Sequence, residues 1–222
     1  MAIDVERDPR IYAVDDDPMR VAMVNGNSRP RPAIADPAPL GLTAFAVALF
    51  VFSMFSTGLL DQSGAPVILP VALAFGGVLQ VLAGMWEFRR GNTFGAVVFG
   101  TIGALWGSYW LLEHFNVGQI PGSELGAALG LFYIAWAIAT AVLWVASTQT
   151  TAVVSLVLFL LTVSLVLIGI GDAGAHTELV KVGGWFGLAS ALVAIYGALA
   201  SVVNSAAERT LLPLIPLRRA HA

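Results

Sequence analysis

Between Pro39 and Asn204 the chain consists of long apolar runs separated by short polar breaks. Charged residues are missing from Pro39–Leu60, Pro66–Trp86, Phe94–Leu112, Leu125–Gly171 and Val182–Asn204. A helix needs about 20 apolar residues to cross roughly 30 Å of hydrocarbon, and each run meets that length. Leu125–Gly171 would make a helix of about 70 Å at 1.5 Å per residue, twice the bilayer, so it must turn inside the run. The polar stretch Ser147-Thr148-Gln149-Thr150-Thr151 is the natural place, which makes six helices. Pro39 and Pro66 suit first helical turns, where a missing N–H costs nothing. Asp61–Ala65 and Glu87–Thr93 are read as short loops, so consecutive helices run antiparallel. The fold class is an all-α integral membrane protein of six transmembrane helices.

Composition supports lipid as the solvent: 58% of residues are hydrophobic and 11% charged, against about 25% charged in a typical soluble domain. Residues 1–36 are polar, rich in acids and interrupted by proline, and are read as a disordered cytoplasmic tail. Residues 37–213 form the membrane domain and 214–222 a C-terminal cytoplasmic tail. No cleavable signal peptide is expected, because the N-terminal stretch lacks an apolar core. Of the 11 Lys and Arg residues, all but Lys181 fall on one side if both termini are cytoplasmic, which the positive-inside rule favours. The expected location is the plasma (inner) membrane.

The chemistry available inside the bilayer is mild. No acidic or basic residue is placed well inside any run, which argues against an internal carboxylate relay. There is no cysteine, and His114, His176 and His221 have no ligand spacing, so neither metal nor cofactor is expected. The net charge of −3 gives no support for nucleic-acid binding. Scattered hydroxyls most simply bond the carbonyl one turn back. Gln80 is different, since lipid exposure of its amide would be costly. It should face the interior, paired across helices or lining a pore. Hydroxyls, one amide and apolar walls suit weak binding and fast passage of a small carboxylate.

Pro37-Ala38-Pro39-Leu40-Gly41-Leu42, Gly76-Gly77-Val78-Leu79-Gln80, Glu87, and Gly91-Asn92-Thr93-Phe94-Gly95 together resemble the acetate uptake transporters. That family comprises the bacterial succinate–acetate permeases and their fungal relatives. Gly183–Gly187 and Ala194-Ile195-Tyr196 extend the resemblance over the whole membrane part. It implies a homo-hexamer of six-helix protomers, each with its own pore and a constriction of three side chains. Phe45 and Leu161 stand at two of these positions, and Ile102 takes the place of the usual tyrosine. Asp36 replaces an asparagine and would put negative charge near the cytoplasmic mouth. Leu161 and Ala194 match positions tied in the family to the choice of acetate over succinate. The function expected is membrane transport of acetate or a similar small carboxylate, channel-like or proton-coupled, and not enzymatic. An acetate-responsive signalling protein and an ammonium exporter are the alternatives.

Overall fold

A computed structural model describes residues 34–217, and from Asp36 onward the chain forms one compact unit. Residues 1–33 of the N-terminal tail, and residues 218–222, lie outside the described residues. Six helices have the length and apolarity to cross a membrane: α1 Ala38–Ser56, α2 Gln62–Arg90, α3 Thr93–Gln119, α4 Gly122–Ser147, α5 Ala152–Ala173 and α6 Thr177–Ala206. Among the described residues the only β pairing is an isolated bridge between Thr151 and Pro216.

The breaks follow local chemistry. Asp36 accepts the Ala38 N–H at 3.0 Å and, with Pro37 and Pro39, starts α1. Gly58, at φ +77°, ends it, as left-handed backbone favours glycine. Asp61 accepts the Ser63 N–H at 2.8 Å and opens α2. Hydrogen bonds from Ser63, its side chain first and its backbone second, hold the Asp61 carboxyl below the usual carboxylate range. Thr151 caps α5 by accepting from Val154 N–H, so the polar break inside the long apolar run is where the chain turns.

The link between α2 and α3 is shorter than the sequence indicates. Helix α2 continues through Glu87 to Arg90, where Gly91 at φ +85° closes it and Asn92 caps α3. Glu87 is therefore a buried helical residue, not a loop residue. Helix α2 also carries a π-helical segment, Ala72–Leu79, a local widening often found at functional sites. Helix α3 likewise runs past its apolar stretch through a π turn at Leu112–Asn116.

Small residues set the helix seams, as expected where hydrophobicity gives no drive between helices. Helix α2 lies on α3 with Gly84 facing the backbone of Gly100, where an added Cβ would come within 2.9 Å of the Gly100 nitrogen. Gly126 and Gly130 bring α4 onto the Asp172 and Gly169 carbonyls of α5, and Gly184 and Gly187 of α6 fit against Ser56, Thr57 and Ser53 of α1. Helix α6 sits between α1 and α5, and Ser190 donates to the Val157 carbonyl at 2.8 Å to tie it to α5. Beyond α6 the chain folds back. Asn204 binds Leu211 and Leu212, Tyr196 donates to the Pro213 carbonyl, and Ile215 and Leu217 bond Ala152 and Thr150. The segment 214–217 is thus fixed against the α4–α5 turn.

A candidate conduit between two vestibules

Three cavities follow one another through the bundle, each sharing wall residues with the next, and α1, α3 and α5 contribute to the walls of all three. The terminal face is the one carrying the α2–α3 and α4–α5 turns; the far face is its opposite. The far vestibule, 690 Å³, is walled by Phe52, Ser56, Tyr109, Tyr133 and Ile168 and ringed by Asp61, Glu113, Asp172 and Lys181. The terminal vestibule, 220 Å³, is bounded by Phe45, Glu87, Asn92, Phe99, Ile102, Thr150, Thr151 and Leu158. Between them lies a space of only 20 Å³, room for about one water.

Phe45, Ile102 and Leu161 all line this narrow middle space, joined by Leu49, Phe52, Trp106, Tyr109 and Tyr133. Phe45 and Ile102 also border the terminal vestibule, while Phe52, Tyr109 and Tyr133 also border the far one. The walls of neighbouring cavities are therefore shared, and the narrowing spans about two helical turns, from Phe45 to Phe52 on α1 and from Ile102 to Tyr109 on α3. Phe45, Ile102 and Leu161 are each at most 3% exposed. Beyond them Phe52 packs edge-on to Trp106 at 5.9 Å and to Tyr109 at 5.6 Å. Apolar constrictions of this kind stop conduction by excluding water.

Position 102 has no hydroxyl, yet Tyr109 lies two turns along the same helix and lines the far side of the narrowing with Tyr133. The sequence treats Tyr133 as one of many mild polar residues and passes over Tyr109. Spacing from Ile102 is the signal that could have found it, since residues i and i+7 share a helix face.

The remaining residues singled out in the sequence have other places. Gln80 is fully buried and makes no hydrogen bond to the described residues, but it borders none of the three cavities. Ala194 is also fully buried, in the core of α6 away from these walls. Pro37, Ala38, Pro39 and Leu40 build the first turn of α1, and Leu42 reaches the terminal vestibule with Ala38. Gly41 leaves room for the Phe99 ring, which an added Cβ would approach to 2.6 Å. Gly91, Asn92 and Thr93 make the α2–α3 turn, with Asn92 at the vestibule wall. Asp36 pairs with Arg90, so its charge is offset at the mouth where the sequence alone leaves it unopposed.

Glu87 is the residue the sequence undervalues. It is fully buried, neither carboxyl oxygen has a hydrogen-bond partner, and it borders the terminal vestibule. Glu113 and Asp172 similarly line the far vestibule. All three lie at the ends of their apolar runs, where hydropathy alone cannot separate a solvated loop from a helix facing a water-filled pocket.

Known proteins share this fold. The bacterial acetate channel SatP, a solved structure, superposes with a TM-score of 0.75 at 29% identity, covering 81% of this chain and 98% of that one. The succinate-acetate/proton symporter SatP of Escherichia coli is 31% identical over 185 residues, 82% of this chain and 95% of its own length. Acetate permease A of Emericella nidulans is 34% identical over 195 residues, and the match spans 81% of this chain but 65% of that longer relative. Residues 22–219 match the GPR1/FUN34/yaaH family, and this chain, a multi-pass membrane protein, belongs to that family.

Proposed function

We propose that this protein passes small monocarboxylates, acetate first among them, across the plasma membrane. The observation that carries the proposal is the row of two vestibules separated by a 20 Å³ apolar narrowing. In this account Phe45, Ile102 and Leu161 form the gate. Each vestibule hydrates the solute up to the gate, and a short apolar step gives selectivity without a tight binding site. Likeness to an acetate channel and to a succinate-acetate/proton symporter supports the choice of substrate.

Arg89, Arg90 and Arg209 at the terminal face, against Lys181 at the far face, support a cytoplasmic terminal side. The assembly we propose is a homo-hexamer with one pathway in each protomer.

Reconstitution tests the proposal. Proteoliposomes should accumulate labelled acetate faster than protein-free liposomes, and faster still at acid external pH. Equal uptake with and without protein refutes it.

A further inference from the structure

Glu87 lies in the last turn of α2, fully buried, with neither carboxyl oxygen within hydrogen-bond geometry of a described residue. It borders the 220 Å³ terminal vestibule, whose other end is the Phe45–Ile102 layer. Gly95 of α3 holds it there: a Cβ at Gly95 would lie 2.9 Å from the Glu87 carboxyl carbon and 2.7 Å from Asn92 Nδ2. The glycine thus brings the carboxyl and an amide donor to the same patch of wall.

The electrostatic surroundings are sparse. The charged neighbours Asp36 and Arg90 pair with each other. The described wall residues from α1 and α3 are apolar, and those from the α4–α5 turn and α5 add Thr150 and Thr151 but no titratable group. Asn92 Nδ2 is the one amide donor beside the carboxyl and Arg90 is taken up by Asp36, so burial dominates and makes the ionised form costly, whereas a neutral carboxyl keeps a donor O–H for a partner. A permeating carboxylate offers such a partner, and O–H···O⁻ bonds are short and strong.

We propose that Glu87, holding its proton, is a substrate-pairing residue. In the terminal vestibule it donates a hydrogen bond to the carboxylate of the permeating monocarboxylate, with Asn92 Nδ2 beside it as a second donor. The proton stays on Glu87, so no proton transfer is required, and the substrate leaves as it arrived. Ionisation of Glu87 removes the donor and places a negative charge in the anion's path. This rests on the transport reading but asks more of it, since one side chain would set how passage depends on pH.

The experiment is equilibrium exchange of labelled acetate in proteoliposomes with equal pH on both sides, comparing wild type with Glu87→Gln. The amide is near-isosteric and remains a donor at every pH. Dividing the Glu87→Gln rate by the wild-type rate at each pH cancels the ionisation of acetate itself. The ratio should rise about tenfold from acid to alkaline pH as wild type loses its donor. Glu87→Asp should keep the wild-type profile in shape. A flat ratio overturns the inference while leaving transport standing; no exchange by wild type at any pH overturns the transport reading instead.

Should Glu87→Gln fail to assemble, infrared difference spectra of wild type and Glu87→Asp decide. Acetate addition should shift a protonated-carboxyl band, and that band should move in frequency with the Asp variant. A spectrum with no acetate-sensitive protonated carboxyl overturns the inference.

Discussion

Gly76→Ala probes the link between helix packing and the conduit. Gly76 sits in the π segment of α2, facing α3, where an added Cβ would lie 2.4 Å from Cγ of Trp106 and 2.8 Å from its Cβ and Cδ1. Carbon atoms settle at about 3.5–4.0 Å, so the indole or the helix must move by more than about 1 Å. Trp106 cannot move freely, because Phe52 and Tyr109 pack edge-on against it at 5.9 and 6.0 Å. These three rings all line the narrowing of 20 Å³, and a shift of that size in one of them consumes a comparable volume. Overpacking of this kind typically costs about 1–3 kcal/mol. The expected outcome is a protein that still assembles, unfolds more readily in detergent, and has lost most acetate uptake. Gly107→Ala on α3 is the control: its Cβ would meet nothing within 4 Å, and alanine is the better helix former by about 1 kcal/mol. Its uptake and stability should match or exceed wild type. Wild-type uptake and stability in Gly76→Ala would refute the coupling between the seam and the passage.

Phe45→Ala should merge the narrowing with the terminal vestibule, raise acetate uptake and admit longer monocarboxylates. Because Phe45 already borders two cavities, its stability cost should fall at or below the low end of the usual range, about 3 kcal/mol, as read by thermal unfolding. Asp172→Asn removes one of the carboxylates ringing the far vestibule. Uptake measured at neutral pH should rise about two- to fivefold at low ionic strength, and the gain should shrink as salt is added. Ser190→Ala deletes the 2.8 Å bond from α6 to the Val157 carbonyl and should cost about 0.6–1.7 kcal/mol in unfolding measurements, with uptake retained.

The six helices and the turn at Ser147–Thr151 are legible in the sequence because lipid imposes a length and an apolarity that few residues violate. Pro37–Pro39 and Gly91-Asn92-Thr93 mark their boundaries by backbone chemistry that needs no tertiary information. The conduit is much less legible. In soluble helices an apolar stripe tells inside from outside, but here both lipid and core are apolar, so Phe45 facing the passage and Leu131 facing outward at 72% exposure look alike in sequence. The resemblance to a family points to Phe45, Ile102 and Leu161, and all three, from three different helices, line the same narrow space. Gln80 shows the opposite failure: polarity places it inside the bundle, but not on any of the three cavity walls. Glu87 belongs to the motif that carries the resemblance, but a charge at the end of an apolar run reads as the start of a loop. Only the continuation of α2 to Arg90 and the open space beside it put the carboxyl at a cavity wall.

The chain contains no cysteine, which makes single-cysteine labelling the most direct test that the two vestibules are halves of one pathway. Ser56→Cys places a thiol at the far vestibule, Val154→Cys at the terminal vestibule, and Leu131→Cys on the outward face of α4. Modification with a bulky water-soluble thiol reagent should block acetate uptake at both vestibule positions, and acetate should slow the labelling, while Leu131→Cys transports normally after treatment. Undiminished uptake with both vestibule thiols fully modified would contradict a passage running through the Phe45–Ile102–Leu161 layer.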